Sequence, residues 1–223
     1  MNGLRLDLGC GARKAENTIG IDVLALPGVD YVVDLQESPL PFPDRSVEYI
    51  HSSHFFEHID REKIFKIYAE SSRVCQDGAY IEIWTPYGWD NSAFIFGHHN
   101  FYFNEDHYLH MCVWFQDTWR KTLGANWLLK EFIYVVLPDK LVELYRNKIS
   151  IDFALRHYKC VVQEFGVLIQ VRHDYTTTQK PVMPERKIAL NRSSKRYAIV
   201  PDSKAVDENE LQSAIEWHQV SPS

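Results

Sequence analysis

The chain has 223 residues, a formal net charge of −6 and 45% hydrophobic residues. That is long enough for one full domain with a sizeable core and short for two. Its Lys and Arg are spread along the chain, which argues against the clustered basic face of a nucleic-acid binder. No apolar run approaches the roughly 18 residues that a membrane-spanning helix needs, so a soluble protein is expected.

Strand signals open the chain. "LRLDL" (4–8) begins almost at once, without a basic region and apolar stretch before it, so no secretory signal is expected. "TIGIDV" (18–23), "VDYVVDL" (29–35), "SVEYIHSS" (46–53) and "AYIEIWT" (79–85) follow. All are short, apolar and rich in β-branched or aromatic residues, as in the buried strands of a parallel sheet. Between the last two, "DREKIFKIYAESSRVC" (60–75) reads as a helix. Ile64, Ile67, Tyr68 and Cys75 share one face, Asp60 is the expected N-cap, and Gly78 in "QDG" is expected to end it. This alternation predicts an open, parallel α/β fold.

Residues 86–115 are aromatic-rich, His-rich and aperiodic, and read as a long functional loop or lid. A short helix over 116–124 ending at Gly124, a strand over 127–137, a helix over 139–158 and a strand over 160–173 are predicted next. Beyond about residue 174 the apolar density falls. The expected division is a domain over 1–173 and a tail or extension over 174–223, solvated and loosely ordered, in which "KRYAIV" (195–200) could add an edge strand. The four cysteines, Cys10, Cys75, Cys112 and Cys160, form no C-x-x-C pair. A disulfide framework is not expected, and a reducing cytoplasm fits.

The sharpest chemistry lies in "LDLGCGARK" (6–14), where a strand ends in Gly9-x-Gly11. Such glycines permit a tight turn and close approach of a ligand to the backbone. A dinucleotide-binding G-x-G-x-x-G would place its third glycine at Lys14, and its acid about 20 residues later. Here Asp22 closes the second strand far sooner, and "ARKAENT" leaves room for at most a turn or two of helix. This favours a ligand without a pyrophosphate.

"LDLGCG", "GIDV", "VVDL", "LPFPDRSVEYIHSSHFFEHI" and "SRVCQDGAYIEIWTP", in this order, resemble the motifs of class I S-adenosylmethionine-dependent methyltransferases. The resemblance is nearest to a small subgroup with a shortened segment between the first two strands. It implies a Rossmann-like, mostly parallel sheet with helices on both faces and an antiparallel last strand. It also implies S-adenosylmethionine as cofactor and S-adenosylhomocysteine as product. By position, Gly9, Cys10 and Gly11 would lie against the methionine portion, with Asp7 beneath the turn. Asp22, beside Val23, would accept from both ribose hydroxyls, a task suited to an acceptor-only carboxylate. Asp34 would face the adenine amino group, Leu35 would lie beside the ring, and Ser52 and Ser53 would sit near the sulfonium. Where many relatives carry another glycine, this chain has Arg13.

The string His54-Phe55-Phe56-Glu57-His58 also spells H-x-x-E-H, the zinc and general-base signature of inverted zinc peptidases when it lies on a helix. No third ligand at a distinctive spacing accompanies it. The resemblance places the same string after the fourth strand, where Glu57 and His58 brace the following helix. His98, His99, His107 and His110 match no familiar zinc spacing either, and no metal is expected. They are read as lining a substrate pocket with Trp84, Tyr87, Trp89, Phe101, Tyr102 and Tyr108. His107, then His99, is the expected general base for a hydroxyl acceptor. The function expected is methyl transfer to a small-molecule acceptor such as a sugar or metabolite, by hydroxyl or amine. The alternatives are a methyltransferase-like module that holds S-adenosylmethionine without turnover, and a zinc hydrolase built on His54, Glu57 and His58.

Overall fold

The structure, a computed structural model, describes residues 3–95, 97–174, 182–190 and 205–220. Its strands are β1 (Leu4–Leu8), β2 (Ile19–Asp22), β3 (Tyr31–Val32), β4 (Val47–Ser53), β5 (Cys75–Pro86), β6 (Asn126–Val136), β7 (Val162–Arg172) and β8 (Glu185–Ala189). They form one sheet in the order β3-β2-β1-β4-β5-β7-β6-β8. Pairing is parallel from β3 through β5 and between β6 and β8, while β7 runs antiparallel between β5 and β6. The expected mostly parallel α/β sheet with an antiparallel late strand is therefore present.

The β1–β2, β2–β3 and β3–β4 connections contain turns and no helix. The shortened first connection read from "ARKAENT" is real. Only two residues of "VDYVVDL" form β3, and both are exposed. An edge strand has one partner, and here little covers it.

The helices lie later in the chain: α1 (Ile64–Val74), α2 (Ser92–Ile95), α3 (Glu105–Leu109), α4 (Gln116–Leu123), α5 (Pro138–Arg146), α6 (Ile151–His157) and α7 (Glu208–Val220). Ile64, Ile67, Tyr68, Ser71 and Val74 of α1 are buried at helical spacing. Trp127 of β6 is fully buried and donates from Nε1 to Ser72 Oγ at 2.9 Å, which satisfies both polar groups of that contact. Leu6, Leu8, Ile21, Ile50 and Phe165 fill the same core, each contributing about 1.5–3 kcal/mol by burial.

Several boundaries differ from expectation for local reasons. α1 begins at Ile64, not at Asp60, whose carboxylate instead accepts from the Asn100 side chain at 3.3 Å. α1 runs into β5 with no loop between them, so Gly78 (φ +85°) lies inside the strand rather than ending the helix. The helix expected over 139–158 is two helices. Lys148 takes φ +56°, and Ser150 caps the second by accepting from Phe153 N at 3.2 Å. α4 ends as predicted, with Gly124 left-handed at φ +71°.

Residues 86–115 hold α2, α3 and a π-helical turn over His110–Trp114, not only loop. In the C-terminal segment β8 extends the sheet beside β6, and α7 packs on α5. "KRYAIV" (195–200) lies outside the described residues.

Candidate functional site

The sheet order reverses at β1, which has β2 on one side and β4 on the other. In open α/β sheets the crevice beyond the strand ends at such a point binds ligands. A cavity of about 250 Å³ lies here, lined by Gly9, Asp22, Val23, Asp34, Leu35 and Gln36 from the ends of the first three strands, and by His54, Phe55, His58 and Ile59 from the turn after β4.

The glycine turn shapes its floor. Gly9 has φ +67°, and a Cβ there would meet the Phe55 side chain at 2.4 Å. Only glycine combines that conformation with that contact. Gly11 has φ +53° and open space where a Cβ would be. Its N–H donates to Asp22 Oδ2 at 2.8 Å, and Leu24 N donates to Asp22 Oδ1 at 3.0 Å. The Asp22 carboxylate is thus fixed at the end of β2 by two backbone donors. Each oxygen has a second acceptor direction. Asp34 Oδ1 accepts from Gln36 N at 2.9 Å, and Gln36 Oε1 accepts from Asp60 N at 2.9 Å. The end of β3 is tied in this way to the segment after β4.

The other residues assigned to a cofactor lie close behind or beside this lining. Asp7 is fully buried and accepts from Ala15 N at 2.7 Å, which braces the turn from below. Cys10 is buried, with Sγ 3.4 Å from Gly11 O. Ser52 is buried and donates to Leu8 O at 3.2 Å, and Ser53 is buried beside it.

The H-x-x-E-H string does not form the zinc motif. His54 has φ +53°, and a single 3₁₀ turn covers Phe56–His58, so the two histidines are not neighbours on an α-helix. His54 instead bridges two carboxylates, with Nδ1 3.0 Å from Glu57 Oε1 and Nε2 3.1 Å from Glu164 Oε1. Burial lowers its pKa, but the bonds to Glu164 and Glu57 outweigh that and raise it above the ordinary value. This corrects the hydrolase reading. His58 is held below the usual imidazole range, mainly by burial.

The expected catalytic histidines also sit differently from expectation. His107 is packed against Phe65, Phe101, Phe103 and Tyr108, with Tyr68 Oη 3.3 Å from Nε2. Burial, aided by His110, pushes its pKa down to about 3. A half-buried ring that packs among aromatics and is neutral at ordinary pH is suited to packing rather than to proton transfer. Its neighbour Asp106 points elsewhere, into a second cavity of about 690 Å³ that Tyr87, Trp89, Asp152, Arg156 and Arg186 also line. His99 is buried, with Nδ1 2.9 Å from Ala93 O. Of the aromatics expected at a substrate pocket, Trp84, Tyr87 and Tyr108 are buried, whereas Trp89 and Tyr102 are exposed.

The sequence reading missed His54, Phe55, His58 and Ile59 as cavity wall. The signal available was their place directly after a strand whose end faces the Gly9 turn.

No protein-family model matches the chain, and no curated protein matches it by sequence. Solved structures do match. An S-adenosylmethionine-dependent methyltransferase from Archaeoglobus fulgidus is similar over 76% of this chain and 86% of its own, at 17% identity and a TM-score of 0.54. One from Methanosarcina mazei is similar over 78% and 94%, at 16% identity and a TM-score of 0.49. The sheet order, the antiparallel β7 and the first of these likenesses agree. The chain has the Rossmann-like fold of class I S-adenosylmethionine-dependent methyltransferases.

Proposed function

We propose that the protein binds S-adenosylmethionine in the cavity above the Gly9–Gly11 turn and transfers its methyl group to a small-molecule acceptor. The observation that carries this reading is the convergence of that turn with Asp22 and Asp34, on adjacent strand ends at the switch in strand order. Asp22, already oriented by Gly11 N and Leu24 N, takes the two ribose hydroxyls. Leu35 and Phe55 offer apolar surface to the adenine, and Asp34 faces its amino group. Cys10 and Gly11 lie along the methionine portion, with Ser52 and Ser53 behind the reacting end. All four cysteines are thiols, in keeping with a cytoplasmic protein.

Methyl transfer from a sulfonium is an in-line displacement, and alignment with exclusion of water supplies most of its acceleration. The protein's part is to hold the cofactor by its ribose and adenine and to admit an acceptor along the S–CH₃ axis. His107 takes no proton in this scheme, because it packs among aromatic rings that hold it neutral.

Calorimetry with S-adenosylhomocysteine tests the reading. Binding is expected to weaken roughly ten- to hundredfold in Asp22→Ala, the effect of losing charge-assisted hydrogen bonds worth about 1.5–3 kcal/mol. Absence of binding to the wild type would overturn the proposal. Release of S-adenosylhomocysteine in a screen of small hydroxyl and amine acceptors separates an enzyme from a module that only holds the cofactor.

A further inference from the structure

Three histidines meet at the rim of the cavity: His58, His98 and His99. One ring nitrogen from each lies within 4.8 Å of the others. The His58 ring centroid is 4.8 Å from that of His98 and 4.9 Å from that of His99. We infer that these three side chains form a binding site for a divalent transition-metal ion.

The arrangement is built rather than incidental. His58 follows β4, while His98 and His99 belong to the segment after α2, and hydrogen bonds hold the two stretches together. Asn100 N donates to Glu57 O at 2.7 Å, Asn100 Nδ2 to His58 O at 3.1 Å, and Arg61 Nε to Asn100 O at 2.7 Å. Backbone carbonyls set the tautomer of two of the rings. A carbonyl oxygen only accepts, so His99 Nδ1, 2.9 Å from Ala93 O, carries the proton. His58 Nδ1, 3.4 Å from His98 O, does likewise. In both rings the lone pair is left on Nε2, the tautomer that a metal-ligating histidine takes when its other nitrogen donates to a carbonyl.

The donor set selects the ion. Three imidazoles suit Zn²⁺, Co²⁺, Ni²⁺, Cu²⁺ or Fe²⁺, and not Ca²⁺ or Mg²⁺, which take oxygen ligands. Tetrahedral Zn–N bonds of about 2.0–2.1 Å place the nitrogens about 3.3 Å apart. Rotation of the exposed His98 ring, which is stacked on His58, closes the difference. Three protein ligands leave a fourth position open, as in catalytic rather than structural zinc sites. His58 also lines the cavity, so the site adjoins it. Sequence spacing predicted no metal, because the first ligand stands 40 residues from the second and only folding joins them.

The experiment uses the untagged full-length protein, stripped with a chelator and titrated with Zn²⁺ by calorimetry and with Co²⁺ by visible absorption. It needs no cofactor, so its outcome is independent of the proposed methyl transfer. One ion per chain is expected, with a Co²⁺ ligand-field band. His98→Ala and His58→Ala should each weaken Zn²⁺ binding by more than about tenfold and shift the band. His157→Ala, at the end of α6, should leave both unchanged, and circular dichroism checks that each variant is folded. Absence of saturable binding to the wild type overturns the inference. So does binding that survives both ligand variants, or that His157→Ala weakens equally.

Discussion

The strand ends around the Gly9 turn and the helical segment over residues 86–115 treat their polar side chains in opposite ways. At the strand ends, Asp22 and Asp34 bond short backbone turns and line a cavity. In the later segment, Glu105 and His107 are used as internal fasteners. Glu105 accepts from Tyr87 and Tyr134 at 2.9 and 3.0 Å, tying α3 to the segment just after β5 and to β6, and His107 fills a space between aromatic rings. The first region has no helix in its connections, so its carboxylates stay near solvent and available to a ligand. The second is folded over the sheet, and its packing holds His107 neutral at ordinary pH.

Two histidines make this contrast measurable, and the larger effect belongs to His107. Its folded pKa of about 3 lies below the ordinary value, so the unfolded chain binds a proton that the folded chain refuses. Stability is therefore fully present above about pH 6.5 and falls as the pH drops toward 3, by at most about 5 kcal/mol from this group. Thermal melts between pH 7 and 4 should show a steep acid loss that His107→Phe flattens. An unchanged slope in that variant would mean that His107 is accessible to water, and would remove the contrast.

At the strand ends the largest effect is expected from Gly9→Ala. A left-handed non-glycine residue costs about 1–2 kcal/mol, and overlap with Phe55 adds a similar amount, giving roughly 2–4 kcal/mol in all. Gly11→Ala meets no atom and should cost only the conformational part, about 1–2 kcal/mol. Denaturant unfolding of the two variants tests whether the turn is held by packing at Gly9 and by conformation alone at Gly11. Equal losses would contradict that division.

This difference between regions also explains what could be read in the sequence. β1 falls at 4–8 and α4 at 116–123, because a short apolar run and a Gly124 stop are local signals. The Gly9 turn, Asp22 and Asp34 were legible because Asp22 ends β2 and Asp34 follows β3 by two residues, each after an apolar run. β3 was overestimated because apolar letters do not say whether a second neighbour will bury them. The break at Lys148 went unseen because a lysine with φ +56° has no sequence mark. His107 beside Asp106 resembled a base with its partner, but one side chain faces the core and the other a cavity. The cluster of His58 with His98 and His99 is set by tertiary bonds through Asn100, and no period along the chain shows it.

His54 should respond to pH in the opposite sense to His107, and more weakly. Its pKa is raised in the folded state by Glu164 and Glu57 against the pull of burial. The stabilisation is therefore fully present below the unfolded value of about 6.5 and is lost as the pH rises through the folded value. Melting curves from pH 6 to 9 should show a decline that His54→Gln removes. A decline that persists in the variant would assign it to another group and leave His54 a plain hydrogen-bonding residue.

The smallest expected effect concerns how α3 holds His107 in place. Asn104 stands at the N-cap, extended at φ −145°, and its Oδ1 accepts from His107 N at 3.3 Å. Replacing an N-cap of this kind with alanine costs about 1 kcal/mol, which lowers the melting temperature of a chain this size by about 2–4 °C. Asn104→Asp keeps an acceptor at the same place and adds a charge favourable at a helix N-terminus, so it should be close to neutral. The informative quantity is the acid slope in each variant. If α3 is held by its cap, Asn104→Ala loosens the ring packing around His107, admits water and raises its folded pKa, so the acid loss of stability shrinks along with the melting temperature. If Glu105, bonded to both Tyr87 and Tyr134, holds α3 instead, the melting temperature drops and the acid slope stays as steep as in the wild type.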